Sequence, residues 1–126
     1  MKKNIKLVSS ITMILLLAFS ITVPNAHAES YSITGMSGNI YIVTSSDYVG
    51  YGYANTIPTV TAAQDGLTRV DYYYPIANCN PSGVDGQFGE NTYYAVRNFQ
   101  WFAGISVDGT VGPITWNELS NYTNNQ

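Results

Sequence analysis

The sequence predicts a small, mainly α domain preceded by a short Tyr-rich β or extended arm. Three observations carry this. Val84-Asp85-Gly86-Gln87-Phe88-Gly89-Glu90-Asn91-Thr92 is echoed by Val107-Asp108-Gly109-Thr110-Val111-Gly112-Pro113-Ile114-Thr115. Between the two copies runs one helical pattern that ends at Gly104. Upstream, residues 31–53 are rich in Tyr, Ser, Gly and β-branched residues and nearly free of charge. In each copy, Asp-Gly is turn chemistry: the carboxylate can bond the backbone ahead of it, and Gly accepts a positive φ. The second Gly of each copy (Gly89, Gly112) then releases the chain into a helix, with Pro113 at a first-turn position.

Residues 1–28 read as an export signal. Lys2, Lys3 and Lys6 form a basic start, the apolar run from Ile11 to Phe19 is too short to span a membrane, and Ala26-His27-Ala28 supplies the cleavage pattern. Cleavage would remove three of the five basic residues. Arg69 and Arg97 then face all eight acids, a net charge of −6. Such a chain has no electrostatic footprint for nucleic acid or for an anionic membrane. All eleven Tyr and both Trp lie beyond the signal, so aromatics can build the core. Cys79 is the single cysteine, which rules out an internal disulfide framework and leaves a buried or a pairing role open.

The elements follow in order. Asn39 to Thr44 reads as a strand, and Tyr48 to Tyr53 as an extended or hairpin segment. Residues 29–62 therefore form the arm, either as an aromatic binding surface or as a layer packed on the main domain. Asn55 to Thr61, with Pro58, reads as a connector. From Gln64 to Pro75, Leu67, Val70 and Tyr74 recur at helical spacing, but Pro75 should allow one or two turns at most. The main domain, residues 63–122, thus opens with an irregular first helix. A loop leads to the first Asp-Gly turn. The central helix is predicted over residues 90–103, with Thr92, Ala95, Val96, Phe99, Phe102 and Ala103 on one face and Glu90 at the positive end of its dipole. A shorter helix follows from Pro113 to Leu119, turning Trp116 and Leu119 inward, and residues 121–126 read as a frayed polar tail.

Residues 83–119 resemble the peptidoglycan-binding domain of bacterial wall hydrolases. That pattern reads V-D-G-x-F-G-x-x-T-x-x-A-V-x-x-F-Q, then G-(L/I)-x-V-D-G-x-V-G-x-x-T-W-x-x-L. Asp85, Gly86, Gly89, Thr92, Phe99, Gln100, Asp108, Gly109, Gly112, Thr115 and Trp116 stand on its structural positions. Family members open with a helix carrying V-x-x-L-Q-x-x-L. A loop of usual length puts Leu67, Val70, Asp71 and Tyr74 on those positions, so that Asp71 replaces the Gln. A register anchored on Gln64 needs a longer loop. The resemblance implies a small three-helix bundle that binds peptidoglycan, through its glycan or stem peptides, and catalyses nothing. It implies a secreted, wall-associated protein, with a wall hydrolase as a second partner class.

Loss of His27 with the signal would leave no histidine, which removes Ser-His-Asp and Cys-His nucleophiles and His-dependent zinc sites. Asp85, Glu90, Asp108 and Glu118 are the acids of the matched region; two have turn duties and two sit at ordinary helix positions. Each turn offers one Asp, short of the carboxylate cluster that calcium requires. No catalytic residue, metal or cofactor is expected.

A helical projection places Tyr94 and Trp101 opposite the apolar stripe, with Arg97 and Asn98 between them. Two rings about 10 Å apart along the axis could stack on successive sugars while Arg97 and Asn98 bond to hydroxyls. Gln87 and Phe88, at the adjoining turn, are further contacts. The other reading is that the arm covers these rings as extra core. A protein-interaction module on the same fold, recruiting or regulating a wall enzyme without binding glycan, is the rival function.

Overall fold

Strand β1, Ser30–Thr34, and strand β2, Ile40–Thr44, form an antiparallel hairpin in which Tyr31 faces Val43 and Ile33 faces Tyr41. They open the computed structural model, which describes residues 28–126. The export signal expected over residues 1–28 lies outside the described residues except for Ala28. Period-two alternation turns Tyr31, Ile33 and Val43 into the core and leaves Ile40 and Ile42 outward. The hairpin packs on helices α1, Ile57–Tyr73, and α3, Pro113–Asn124, while α2, Glu90–Ala103, lies beyond a 3-10 turn at Pro75–Ala77. Mainly helical, with three helices behind one short hairpin among the described residues, the fold class is the expected one.

The first helix is where the expectation needs correcting. It runs through the expected connector and is 17 residues long, not one or two turns. Pro58 does not hold it back, because at the first turn its missing N–H has no intrahelical acceptor to lose. Thr56 caps it, its side chain accepting from Thr59 N at 3.4 Å. Pro75 does end it, as the sequence suggested. The helix survives its Gly66 because that glycine is a contact: a Cβ there would lie 2.7 Å from Ile33 Cγ2 and 3.1 Å from Leu119 Cδ2. Arm, first helix and last helix therefore meet at one atom-sized gap.

The central helix has the predicted bounds, and Gly104 ends it at φ 71°. The last helix is longer than expected, running to Asn124. Its final turn is not frayed because the arm holds it. Ser120 Oγ and Asn124 Nδ2 each donate to Ser32 O at 2.7 Å, and Thr34 N donates to the buried Thr123 Oγ1 at 3.2 Å. Tyr122 packs among Tyr74, Phe99 and Phe102.

The arm is a packed layer. Asp65, almost wholly buried on α1, accepts from Met36 N and from Tyr41 Oη, both at 2.8 Å, and so fixes the hairpin turn. Further along, Val49 and Val111 exchange two backbone hydrogen bonds at 3.0 and 2.8 Å. The fully buried Trp116 donates Nε1 to Asp47 O at 2.6 Å. Cys79 is buried, its thiol directed at Leu67 O at 3.5 Å. Burial, reinforced by the nearby Asp71 carboxylate, pushes that thiol up to about 12.

Candidate functional site

Each Asp-Gly turn is held by one buried glutamine reaching from the preceding helix. Gln100 Oε1 accepts from Asp108 N at 3.0 Å and Gly109 N at 2.9 Å. Its Nε2 lies within 2.8–3.1 Å of Asp108 Oδ1, Thr110 O and Thr115 Oγ1. Gln64 repeats the arrangement in the first turn. Its Oε1 accepts from Asp85 N and Gly86 N at 3.0 and 2.9 Å, and its Nε2 faces Asp85 Oδ1, Gln87 O and Thr92 Oγ1, each at 2.9 Å. Gly86 and Gly109 take φ 72° and 76°, the left-handed conformation the turn demands. Hydrogen bonds from Gln87 N and from the Gln64 amide hold the Asp85 carboxyl below its usual range.

This geometry corrects the register of the first helix. Gln64, not Asp71, occupies the position of the turn-locking glutamine, with Val60 and Leu67 as its buried flanks. Asp71 has another task, accepting from Cys79 N at 2.8 Å. The longer loop that this register requires exists and is filled: Ala77, Cys79 and Pro81 are buried within it.

The candidate binding residues divide into two groups. Trp101, 73% exposed, borders a shallow cleft of about 250 Å³ with Ile76, Asn78 and Asn98. Asn98 Nδ2 donates to Asn78 O at 2.7 Å, which fixes the cleft's polar edge. Gln87 and Phe88 border a second cleft of about 340 Å³ at the first turn, beside Asp85 and Asn91. Tyr94, 53% exposed, belongs to an aromatic run that reaches this turn. Its ring lies 5.3 Å from Tyr93, Tyr93 lies 5.2 Å from Tyr51, and Tyr51 lies 5.2 Å from Phe88. Neither Tyr94 nor Trp101 is covered by the arm. Arg97 turns aside: its guanidinium lies over the Tyr93 ring at 5.6 Å and reaches Tyr93 Oη at 3.4 Å. Sequence reasoning did not single out Tyr51, Tyr93, Ile76 or Asn78. The Tyr-rich composition of the arm was the only signal for the first.

A third cleft, of about 240 Å³, stands at the second turn between Asp108, Ile114 and the arm's Tyr48 and Tyr53. Among the described residues, no group of three or more His, Cys, Asp or Glu could hold a metal ion.

The chain is 31% identical over 104 residues to an uncharacterized protein in the bpoA1 3′ region of Kitasatospora aureofaciens, covering 79% of this chain and 86% of that one. It is 41% identical over 56 residues to a probable N-acetylmuramoyl-L-alanine amidase of Bacillus licheniformis, and 51% identical over 41 residues to a spore cortex-lytic enzyme of Halalkalibacterium halodurans. Those two matches span 44% and 32% of this chain but only 16% and 12% of the enzymes. No solved structure matches the chain. The family described as peptidoglycan binding domain matches residues 56–119, from the cap of the first helix to the core of the last. The matched stretch covers more than half of the chain and contains both glutamine-locked turns, so the chain belongs to the peptidoglycan binding domain family.

Proposed function

We propose that the protein is an exported, non-catalytic module that holds itself, or a protein partner, on cell-wall peptidoglycan. Family membership supports the ligand class, and the names of the amidase and the cortex-lytic enzyme support the location. The observation that carries the reading is Trp101: a large aromatic standing open on the helix between the two turns, with the fixed Asn98 amide beside it. An exposed indole next to an amide suits a pyranose, whose CH face stacks and whose hydroxyls bond at the rim. Tyr94, Gln87 and Phe88 extend the contact toward the first turn, and Arg97 supports Tyr93 within it. Removal of His27 with the signal leaves the exported chain without histidine, which favours binding over hydrolysis.

A second reading has its own observation. Strand β2 presents Ile40 and Ile42 outward at 67% and 68% exposure, a face suited to a protein partner such as a wall hydrolase. Sedimentation with purified, teichoic-acid-stripped sacculi separates the two. Wild-type protein is expected to pellet with the sacculi and Trp101→Ala to stay largely in the supernatant. Pelleting by both variants would keep the function but move its site. Wild type remaining in solution would end the wall-binding reading and turn attention to β2.

A further inference from the structure

The two turns are built alike but finished differently, and the arm makes the difference. Gly89 and Gly112 are counterparts in the repeat. A Cβ on Gly89 would meet nothing within 4 Å, whereas one on Gly112 would lie 2.9 Å from Tyr48 Cε1. Tyr48 thus lies directly on the second turn, and Tyr53 stacks on it with centroids 5.1 Å apart and planes 14° off parallel. Both rings are held by backbone pinned on either side. Val49 pairs with Val111, and Asn55 clasps Gly50 through two hydrogen bonds of 2.9 Å. A wall fixed before a ligand arrives loses little freedom on binding.

Pro113 and Ile114 line the same cleft, together with Ser106 and Asp108. Asp108 spends Oδ1 on Gln100 and Thr110 N, while Oδ2 takes no hydrogen bond among the described residues. The cleft therefore offers an aromatic wall, apolar lining and an unused carboxylate oxygen, and no cation lines it among the described residues. That combination disfavours an anionic group, and it accommodates a neutral ligand with a CH face and several hydroxyl or amide donors, which the titration below sets against a cationic one. At about 240 Å³ it is smaller than the pockets that take drug-sized ligands, which fits one ring rather than two.

We infer that this arm-walled cleft at the second turn is a saccharide subsite, taking a single neutral sugar ring. The inference rests on the peptidoglycan reading and adds to it a site that the helical bundle alone does not form. The Kitasatospora match covers 79% of the chain, more than residues 56–126 can supply, so that likeness reaches into the arm.

The test is an amide NMR titration of the protein with N,N′-diacetylchitobiose, beside a parallel titration with lysinamide and the sacculus sedimentation above. The disaccharide is expected to shift Ser106, Asp108 and Ile114. Tyr53→Ala should weaken it about tenfold with the rest of the spectrum unchanged, and Tyr53→Phe should bind like wild type. Sedimentation with sacculi but no disaccharide shifts at the second turn would overturn the subsite and leave wall binding standing. Shifts at the second turn with lysinamide alone would overturn the saccharide assignment. Failure of both sedimentation and titration would remove the two readings together.

Discussion

Gln64 and Gln100 each satisfy two backbone N–H groups of a turn whose φ is otherwise costly, from inside the core. Truncating Gln64 to Ala leaves those donors and the Thr92 hydroxyl without partners, at a cost of roughly 2–4 kcal/mol. Asp71→Ala removes one bond to Cys79 N and should cost about 1 kcal/mol. Urea denaturation of the two variants checks the order, and a larger loss for Asp71→Ala would restore the other register. Cys79 gives a pH signature at the same scale. Its thiol is raised from 9.0 to about 12 in the folded state, so its stabilising contribution is complete below pH 9 and lost as pH climbs toward 12. Tyr31 and Tyr41 are raised as well, by the hydrogen bond to Glu29 in one case and by burial in the other, and pull in the same direction. The urea midpoint should fall with pH above about 9, and less steeply in Cys79→Ala. An unchanged slope in that variant would mean the thiol ionises freely. At this scale the sequence was half legible. Gln100 sits eight residues before its Asp and could be read locally, whereas Gln64 is 21 residues from Asp85 across a loop that nothing in the pattern measures.

Among the elements, legibility followed how far each one is stabilised by its own residues. The central helix has an unbroken apolar stripe and a glycine stop, and its bounds were readable. The last turn of α3 is polar in sequence, and the contacts that stabilise it come from β1 and from the aromatic cluster around Tyr122. Period counting along one segment does not see partners 90 residues away. Ending the chain at Ser120 would remove Tyr122, the Thr123 carbonyl that accepts from Arg69 Nε at 3.0 Å, and the Asn124 bridge to Ser32. Roughly 2–4 kcal/mol should go with them, and a truncated protein as stable as the full chain would show that the tail is dispensable. Gly66 makes the complementary point. Helix propensity alone favours Ala there by about 1 kcal/mol. Ile33 is fully buried and cannot retreat from a methyl group 2.7 Å away, so Gly66→Ala should destabilise by about 1–3 kcal/mol instead.

For the whole molecule the question is whether arm and bundle are one cooperative unit or two. Arm residues supply contacts the bundle cannot replace: Ile33 against Gly66 and Leu119, Asp47 O for the Trp116 indole, and Val49 for the backbone of Val111. Trp116 without its acceptor would bury an unpaired N–H in the centre of the fold, and Val111 would lose both of its backbone bonds. The bundle in return supplies Asp65, which organises the hairpin turn through Met36 and Tyr41. Neither side has a finished surface without the other. Unfolding followed by Trp fluorescence and by far-UV circular dichroism should therefore give one coincident transition. Asp65→Ala, placed in the bundle but acting on the arm, should lower that transition as a whole by roughly 2–4 kcal/mol rather than release a separate early phase. An early phase in which the arm's tyrosines become exposed while the Trp116 signal stays native would mean that the arm is an appendage, and that the cleft it walls opens before the bundle does.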